Sequence, residues 1–592
     1  KDLGKEIDLI SQKLVAGDNV LDVLKALSKF IIKDKAGTFI GARMGRPEKA
    51  KLRKLTGSPH VLFPVGEEGG RLRSFQSSLE VGIVESDFPN YFCDSCKIEC
   101  VYPRCFQCGL VCVKNFYCLI CEKYSNDKCF EHPQKSVQHS VRKIDIKNYF
   151  ESSKKLIGAR IDDLPVVIKG VRGTSSEDHS CENLVKGMLR AKYNLHVNKD
   201  GTVRYDISEM PLTHFKPKEI RTSVEKLHEL GYNLDIYGNK LERDDQILEI
   251  FPHDVVLPAC PDSFDEKADD VLFNICNFVD DEMDYLYKIN KFFECKRKDD
   301  LIGVLLGCIA PHNCAAVVGR VIGFSKIQAL LASPYMHAAM RRDCDGDEAA
   351  VMLLMDLLLN FSKHFLPSHR GGTQDAPLVL NTRMRAGEVD DMIFDLDVTK
   401  ELPVALYRAG EERKHPSEIK LERVANRLRG EHEFDGLWFS YDSSDINQGM
   451  LCSSYKTLPT MGDKVREQME LCKKIRAVDV RDVARLVIER HFIRDIKGNL
   501  RKFSQQVFRC VDCNDKFRRP PLIGKCTHCG GKLIFTISEG SIIKYMQAAL
   551  DLARNYNVSP YLLECLEIVE KDIQSIFGKE KEKQEALVRW FG

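Results

Sequence analysis

The spacing of the cysteines constrains the fold of this chain more than any other feature of its sequence. Many of the 23 cysteines stand in pairs that are separated by two residues. Each pair offers two thiolates to a tetrahedral metal ion, and two pairs together close a four-ligand structural site. The pattern is typical of metal binding in a reducing compartment, whereas disulfide frameworks belong to oxidising ones. We therefore expect small modules that fold around bound metal within a longer chain.

Three such modules are predicted, and each is a closed ligand set that would hold Zn²⁺ structurally without supplying catalysis. The alternative, buried free thiols, rarely gives paired spacing. In the second module Cys100, Cys112 and His139 are alternative ligands, so the sequence predicts two or three zinc ions. The three sets are Cys93, Cys96, Cys105 and Cys108; Cys118, Cys121, Cys129 and His132; and Cys510, Cys513, Cys526 and Cys529.

A second feature is the acidic segment Asp343–Glu348, which places four carboxylates in six residues directly after Arg341 and Arg342. Carboxylates this close repel each other unless a cation lies between them. Mg²⁺ binds through a few carboxylates together with substrate phosphates, so the segment indicates metal-assisted phosphoryl transfer. The alternatives are a solvated acidic turn or a calcium loop. An EF-hand would need glutamate at loop position 12, where this chain has Leu354 or Asp356.

A glycine-punctuated basic segment lies near the start of the chain. Glycines let the backbone approach phosphates closely, and the cations there would contact them. The alternative is an ordinary solvated run of charge. The basic side chains in question are Arg43, Arg46, Lys49, Lys51 and Lys54.

Length and composition set the broad class. At 592 residues the chain is too long for one core, and three to five domains are expected. The net charge of +1 gives no global basic excess, so nucleic-acid binding would use local patches. No apolar run reaches about 18 residues, so no membrane span is predicted. The chain begins at Lys1 without a methionine or a signal-like segment, which predicts a fragment or a processed piece of a longer protein.

Other patterns predict local structure. The glycine-punctuated stretch 301–325 suits strands of a tight barrel, and the apolar run 349–362 is interpreted as a helix that anchors the acidic segment. A strand is predicted at 58–66 and a helix at 462–475. The chain has no Walker loop, no GxGxxG and no GxSxG, which argues against P-loop NTPases, Rossmann enzymes and α/β-hydrolases.

The last nine residues match a sliding-clamp-binding peptide, in which a glutamine precedes an aliphatic residue and two aromatic ones. An exposed Trp-Phe pair at a terminus is costly unless a partner buries it, although it could instead dock on the protein's own core. The matching residues are Gln584, Leu587, Trp590 and Phe591.

Taken together, these residues resemble the large, catalytic subunit of the archaeal D-family DNA polymerase. The chain looks like the C-terminal half of that subunit. The similar segments are GARMGRPEKAK (41–51), APHNCAAVVGRVIGF (310–324), HAAMRRDCDGDE (337–348), GGTQDAPLVL (371–380), HFIRDIKGNLRKFSQQVFRC (491–510), RRPPLIGKC (518–526) and the terminal clamp peptide.

The resemblance implies an α+β multidomain fold in which two double-psi β-barrels form the catalytic core, with inserted zinc modules and a helical C-terminal region. The implied regions are 1–90, the first barrel with the basic loop; 91–140, zinc modules; 141–300, the rest of the first barrel and a connecting region; 301–400, the second barrel; 401–505, a DNA-contacting region; 506–540, a zinc ribbon; 541–583, helices and a linker; and 584–592, the clamp peptide.

Residue by residue, Asp345 and Asp347 match the family's catalytic metal-binding aspartates, and Lys49, Lys51 and Lys54 match the basic loop that faces them. Two positions depart from the family: Asp343 stands where asparagine is usual, and His132 where cysteine is usual. The extra carboxylate brings the loop nearer the three-aspartate loop of RNA polymerases, and it would either ligate metal or cap the turn. Further candidates for DNA or substrate contact are Arg43, Arg46, Arg320, Arg341 and Arg342.

The implied function is replicative DNA-directed DNA synthesis from dNTPs on a primed template, with two catalytic Mg²⁺ ions. The implied partners are a small exonuclease subunit and the sliding clamp (PCNA), in the cytoplasm at the archaeal nucleoid. Two alternatives stay open. One is an RNA-polymerase-like or primase-like nucleotidyltransferase, and the other is a non-catalytic zinc-ribbon scaffold for nucleic acid.

Overall fold

The structure, a computed structural model, describes most of the chain between residues 54 and 577. Contacts divide the chain into two compact units, Gly45–Ser453 and a second that combines Lys1–Met44 with Ser454–Gly592. The described residues are 25, 28, 54–158, 165, 167–263, 265–369, 371–438, 445–448, 451–452, 457–475, 478–534, 537 and 539–577.

The first part of the larger unit is a two-stranded ribbon interrupted by two cysteine modules. Helix α1 (Phe75–Val81) leads into strand β1 (Ile83–Pro89). Two small antiparallel sheets follow, formed by β2 (Tyr91–Cys93), β3 (Ile98–Cys100) and β4 (Val113–Lys114), and by β5 (Phe116–Cys118), β6 (Lys123–Ser125) and β7 (Ser136–Val137). Strand β8 (His139–Asp145) then pairs antiparallel with β1. The modules are thus an insertion between two paired strands.

Two capped helices follow this ribbon in the chain. In α2 (Ile146–Ile157) the N-cap Asp145 accepts a hydrogen bond from the amide of Lys147, and in α3 (Leu184–Lys192) Asn183 caps in the same way. The strand predicted at 58–66 is wrong, because the segment forms only an isolated parallel bridge between Pro64 and Val171. Its prolines lack the amide hydrogens that a strand ladder needs.

The elements of the central part follow in chain order. They are β9 (Tyr205–Pro211), β10 (His214–Phe215), α4 (Val224–Leu230), β11 (Leu248–Glu249), β12 (Asp254–Pro258), α5 (Ala268–Glu282), β13 (Leu305–Ile309), β14 (Ala315–Ser325), β15 (Leu330–Ala332), α6 (Pro334–Ala339), β16 (Glu348–Leu353), α7 (Leu354–Asn360) and β17 (Val379–Asn381).

Six of these strands close into a β-barrel in the order β12-β15-β9-β16-β13-β14, and β14 returns to β12. The β12–β14 and β9–β15 pairs are parallel, and the other pairs in the barrel are antiparallel. Strand β17 adds to β14, and β10 pairs with β11 apart from the barrel. The barrel predicted from the glycine-punctuated stretch is confirmed at β13 and β14. Strands β9 and β12 come from the stretch that was grouped with the connecting region.

The helix predicted at 349–362 is wrong in its first part, because this apolar run begins as strand β16 and becomes helical only at Leu354. All six residues of β16 are buried between β9 and β13. A strand buried on both faces has a continuous apolar sequence, which periodicity alone does not separate from a buried helix.

Short helices complete the larger unit: α8 (Val404–Glu411) and α9 (Val424–Arg427). Its 3-10 helices are Pro133–Lys135, Pro217–Glu219, Lys298–Leu301, Lys363–Phe365, Ala386–Glu388, Asp391–Asp395 and Pro416–Glu418, and a π-helix at Met283–Tyr287 extends α5.

The second unit is mainly helical and has its own core. The helix predicted at 462–475 is confirmed as α10 (Met461–Lys474). It is followed by α11 (Val480–Leu486), a π-helix at Val487–Phe492, α12 (Ile493–Gln505), the three-stranded sheet of β18 (Phe508–Cys510), β19 (Lys516–Phe517) and β20 (Leu533–Ile534), and α13 (Glu539–Ile543), α14 (Met546–Asn555) and α15 (Pro560–Phe577). Within the described residues, no helix is both long enough and apolar enough to cross a membrane.

Candidate active site and metal-binding clusters

The acidic segment lies on the loop that joins α6 to β16. Helix α6 ends in a Schellman motif, in which the amide of Arg341 donates to Ala338 O and that of Arg342 to His337 O. Arg341 has φ +62°, a position where glycine is usual, and this left-handed residue turns the chain out of the helix. Gly346 has φ +101°, so a second left-handed turn lies inside the acidic loop.

Three carboxylates converge on this loop. Asp343, Asp345 and Asp347 each place one oxygen within 4.8 Å of the other two. The first two side chains are exposed and Asp347 is half-buried. Because like charges at this separation repel each other, a divalent cation held by the three oxygens would relieve the repulsion. Carboxylate oxygens in a solvent-accessible loop fit Mg²⁺, which keeps several waters and takes few protein ligands.

The two arginines before the loop face different ways. An Nη1–Oδ2 distance of 3.9 Å relates Arg342 to Asp347, and the guanidinium of Arg342 also donates to Pro311 O. Arg341 instead donates to Glu388 O at 3.0 Å and lies 3.8 Å from a carboxylate oxygen of Asp390. Arg342 therefore sits beside the acidic cluster, whereas Arg341 joins α6 to the chain near residue 390.

Beneath the loop lies a buried pair that the sequence reasoning missed. The amide of Glu209 on β9 donates to Asp347 O at 2.9 Å, and its carboxylate lies 2.7 Å from His337 Nδ1 on α6. Both side chains are fully buried. His337 Nε2 donates to Met210 O at 3.0 Å, which leaves Nδ1 to share one proton with the carboxylate. Burial raises the pKa of Glu209 above its usual range, although its bond to His337 opposes this shift.

The remaining residues of the acidic segment point inward. Glu348 is buried at the first position of β16, where it pairs with Ser208 of β9. Burial, with nearby carboxylates, raises the pKa of the Cys344 thiol to about 12. Neither residue extends the exposed carboxylate cluster, so the loop presents alternate side chains to solvent.

Arg320, a candidate DNA contact, is engaged within the barrel. Its guanidinium donates to both carboxylate oxygens of Asp254, each at 2.8 Å, and the hydroxyl of Tyr232 donates to the same carboxylate at 2.7 Å. Arg320 on β14 and Asp254 on β12 are paired in the parallel register that closes the barrel. This two-point contact favours a structural role for Arg320.

Of the basic segment, only Lys54 lies among the described residues. Its ammonium group lies 3.1 Å from a carboxylate oxygen of Glu266, and the two side chains are 27% and 49% exposed. Arg43, Arg46, Lys49 and Lys51 lie outside the described residues, as do Gln584, Leu587, Trp590 and Phe591 of the clamp peptide.

The chain folds into three four-ligand clusters that match the predicted modules. In the first, Sγ–Sγ distances of 3.6 Å (Cys93–Cys108) and 4.0 Å (Cys96–Cys105) join the two pairs. In the second, His132 Nδ1 lies 3.3 Å from Cys121 Sγ, so the predicted histidine completes the set. The third has Sγ–Sγ distances of 3.4 Å (Cys510–Cys529) and 3.5 Å (Cys513–Cys526). The alternatives for the second cluster, Cys100, Cys112 and His139, are not among its four ligands.

A shared backbone turn explains how these pairs converge. The residue after the second cysteine of a pair is left-handed at Lys97, Gly109, Glu122, Asn514 and Gly530, with φ between 54° and 75°. At four of these positions its amide donates to the carbonyl of the first cysteine at 2.8–2.9 Å. The turn also directs amides at sulfur. Backbone hydrogen bonds, chiefly from Cys121 and Cys513, lower the pKa of Cys118 and of Cys510 to about 7. Such thiols are readily deprotonated to metal ligands.

Comparison with known proteins identifies the family of this chain. The model of the DNA polymerase II large subunit DP2 catalytic domain matches residues 162–464, and that of the DP2 central domain matches residues 1–127. The chain belongs to the DNA polymerase II large subunit family. Three relatives named DNA polymerase II large subunit are those of Archaeoglobus fulgidus (42% identical, 99% of this chain and 51% of the relative), Nanoarchaeum equitans (40%, 95% and 48%) and Methanococcoides burtonii (42%, 96% and 50%). The chain thus spans about half the length of the curated relatives that it matches.

The catalytic-domain match includes the barrel and its acidic loop, whereas residues 465–592 lie beyond both matched ranges. The part of this chain that matches the DP2 catalytic domain therefore contains the acidic cluster of Asp343, Asp345 and Asp347. The first two cysteine modules fall largely in the central-domain match, and the third lies outside it.

Proposed function

We propose that this chain carries the catalytic site of a replicative DNA-directed DNA polymerase, which extends a primer 3′-hydroxyl with dNTPs on a DNA template. The observation that carries the proposal is the convergence of three carboxylates within 4.8 Å on a barrel loop inside the catalytic-domain match. We expect the enzyme to act in the cytoplasm, at the archaeal nucleoid.

Each side chain of the loop has a proposed part. Asp345 and Asp347 hold two Mg²⁺ ions, and Asp343 offers a third oxygen. When bound, the metal pair supplies activation of the primer hydroxyl and neutralisation of charge on the leaving pyrophosphate. Arg342 restrains Asp347 from the side, and the buried Glu209 fixes the loop backbone from below. The carboxylates are thereby oriented before substrate arrives.

Basic side chains complete the proposed site. Lys49, Lys51 and Lys54, with Arg43 and Arg46, neutralise negative charge on the incoming triphosphate and template. The support for this part is the sequence resemblance, together with the family membership. Lys54 forms an ion pair with Glu266, which lies two residues before the first residue of α5.

We further propose that the barrel is one of two double-psi barrels and that the three cysteine clusters hold structural zinc. The two parallel strand pairs within a closed six-stranded barrel support the first part of this proposal. Sγ–Sγ distances of 3.4–4.0 Å across paired cysteines support the second, because tetrahedral Zn²⁺ with bonds of about 2.3 Å places its sulfur ligands at about this separation.

The test of the catalytic proposal is primer extension by the assembled polymerase that contains this chain. Replacing Asp345 and Asp347 with asparagine should abolish Mg²⁺-dependent extension while leaving the fold intact. The matched control is Asp284→Asn, an exposed carboxylate of the same unit outside the cluster. Extension at the unchanged rate in the double variant would refute the assignment.

One observation keeps a second candidate function in view. Asp343 joins the other two aspartates in space, which makes the loop resemble the three-aspartate loop of RNA polymerases. Assays with dNTPs and NTPs side by side separate the two functions, and we expect dNTP incorporation. Preferential NTP incorporation would favour the RNA-polymerase-like alternative.

We also propose that the terminal peptide binds the sliding clamp and that a small exonuclease subunit completes the enzyme. Deleting residues 584–592 should remove clamp-stimulated synthesis and leave basal synthesis unchanged. The partner control is Lys579→Ala, which alters the preceding linker but not the peptide. Equal stimulation after the deletion would contradict clamp binding through this peptide.

A further inference from the structure

A second kind of ligand cluster lies away from the acidic loop and the cysteine modules. Asp87, His139 and His179 each place one ligand atom within 4.8 Å of those of the other two. His139 Nδ1 lies 2.7 Å from Asp87 Oδ1, and His179 Nε2 lies 3.5 Å from Asp87 Oδ2. Nothing in the proposed polymerase chemistry uses these residues.

The fold brings the three residues together from distant parts of the chain. Asp87 lies on β1 and His139 begins β8, and their register makes them diagonal neighbours on one face of the ribbon. His179 comes from the loop before α3, and it adopts φ +50°, which is uncommon for a residue with a side chain. Two ligands are thus fixed on a rigid ribbon, and the third is held in place by a strained turn.

The donor set is that of a transition-metal site. Two imidazoles and one carboxylate are one of the ligand sets that bind Zn²⁺ through three side chains and leave the fourth position open. The side chains are 22–28% exposed, so water reaches the cluster. His179 Nδ1 lies 3.3 Å from the hydroxyl of Thr174, which can fix the ring orientation in the way that outer hydrogen bonds orient metal-bound histidines.

The charges around the cluster favour a cation. The charged or titratable groups that act on His179 are Asp87, His139 and Asp178. Asp178 is itself paired with Lys114 of β4 at 2.8 Å, so the same loop is also tied to the first cysteine module.

We propose that Asp87, His139 and His179 form a fourth metal site, which binds a divalent transition ion of the Zn²⁺ class at the base of the module insertion. With the ion bound, the imidazole of His139 carries its proton on Nε2, and Nδ1 binds the ion in place of its hydrogen bond to Asp87. The ion is held by two nitrogens and one oxygen, with water in the remaining position. It fastens the loop before α3 to the two strands from which the cysteine modules project.

The test is metal content of the full chain, purified with its cysteine clusters loaded and dialysed against Zn²⁺ at fixed free concentration. We expect His179→Gln and Asp87→Asn each to contain one equivalent of zinc fewer than the unchanged protein. The matched control is His228→Gln, because His228 is also half-buried but forms hydrogen bonds with Asn233 and Leu241 O, away from the cluster. That variant should keep the full zinc content.

Cobalt substitution separates the new site from the cysteine clusters. Co²⁺ bound to thiolates gives intense sulfur charge-transfer absorption, so a site without sulfur should add only weak visible bands. These bands should be absent in His179→Gln, and the sulfur bands should remain, which also shows that the modules are still folded. Equal zinc content in all variants, with unchanged cobalt bands, would overturn the proposal and leave a hydrogen-bonded Asp-His-His triad.

Discussion

Strand β16 has carboxylates near both of its ends, and the two groups differ in burial and in their partners. Before the strand, Asp343, Asp345 and Asp347 lie together in an exposed to half-buried loop. After it, Asp356 on α7 is fully buried. At the first end the carboxylates face solvent and each other, whereas at the second end the chain supplies hydrogen-bond donors and cations of its own.

The buried end is a closed network. Asp356 accepts hydrogen bonds from the amide of Val203 and from Asn360 Nδ2, each at 2.8 Å. Asn360 also donates to Glu282, and Lys186 donates to Asn360 at 2.5 Å. The network joins α3, α5 and α7 through buried side chains.

A buried ion pair lies in the same region. Arg190 is fully buried and donates to both carboxylate oxygens of Glu182, at 2.6 and 2.8 Å. The region therefore contains two buried cations, Lys186 and Arg190, and one more carboxyl group than cations. The three buried carboxyl groups are those of Glu182, Glu282 and Asp356. Buried charges with partners inside the protein stabilise the fold, whereas solvent-facing carboxylates are accessible to a cation from solution.

The largest effect should come from the exposed end. Replacing both Asp345 and Asp347 with asparagine should lower primer extension by about 10³-fold or more, since one well-placed charge-stabilising group is often worth 10²–10³-fold. Without Mg²⁺ the same change should leave the thermal unfolding temperature equal or higher, because it relieves repulsion between carboxylates. Extension rates and melting curves at zero and saturating Mg²⁺ measure both. A large loss of thermal stability would show that these carboxylates also stabilise the fold.

A substitution at the buried end should instead lower the stability of the fold. Glu182→Gln should cost about 3 kcal/mol in unfolding free energy, because it leaves the Arg190 guanidinium buried without its counter-charge. The matched control is Glu388→Gln, whose partner Arg385 is as exposed as Glu388 itself, at 68% each. An exposed pair of this kind contributes about 0–1 kcal/mol. Chemical denaturation followed by a probe in the larger unit measures both, and equal losses would show that burial does not set the difference.

Between these extremes lies Glu209, which is buried but serves the exposed loop. Glu209→Gln weakens the bond to His337 that positions the backbone contact with Asp347, so we expect roughly a 10- to 100-fold fall in kcat or in apparent Mg²⁺ affinity. Primer extension across a Mg²⁺ titration measures it. The control is Glu219→Gln, another buried glutamate, which accepts amides of Lys216 and Ile446. If both variants keep the same Mg²⁺ dependence as the unchanged chain, Glu209 does not position the loop.

What the sequence predicts well is local in the chain. The cysteine pairs, the acidic segment and the helix at Met461–Lys474 each lie within a short window, and spacing alone identifies them. The second cluster includes His132 because its four ligand atoms come from one short stretch of chain, in which a left-handed turn at Glu122 follows the first cysteine pair.

What the sequence does not predict depends on strand pairing. Glu209 and His337 are 128 residues apart, and only the parallel β9–β15 pair and the antiparallel β9–β16 pair bring them together. Arg320 looks like a free cation until the closing β12–β14 pair places it against Asp254. The apolar run after the acidic segment has no period that separates a strand from a helix. Only its pairing with β9 and β13 shows that it begins as a strand.

The smallest predicted effect is a pH dependence at the buried end. Burial raises the pKa of Asp356 to about 7, while nearby Arg190 opposes the shift. In the unfolded chain this carboxyl is ionised throughout the range from pH 6 to 8. The folded state therefore binds one more proton at pH 6 than the unfolded state does, and it releases that proton as the pH rises through 7. Folded-state stability must then fall across this window.

Asp356→Asn removes this titration, so the free energy of unfolding of the variant relative to the unchanged chain should rise by about 1 kcal/mol between pH 6 and 8. Hydrogen exchange of amides in α3 and α7, corrected for the intrinsic rate at each pH, measures the difference. Asp284→Asn, at an exposed carboxylate, should give a difference that does not change with pH. Parallel curves for Asp356→Asn and the unchanged chain would mean that the excess carboxyl stays ionised when buried. The two ends of β16 would then differ in their partners but not in the protonation of their carboxyls.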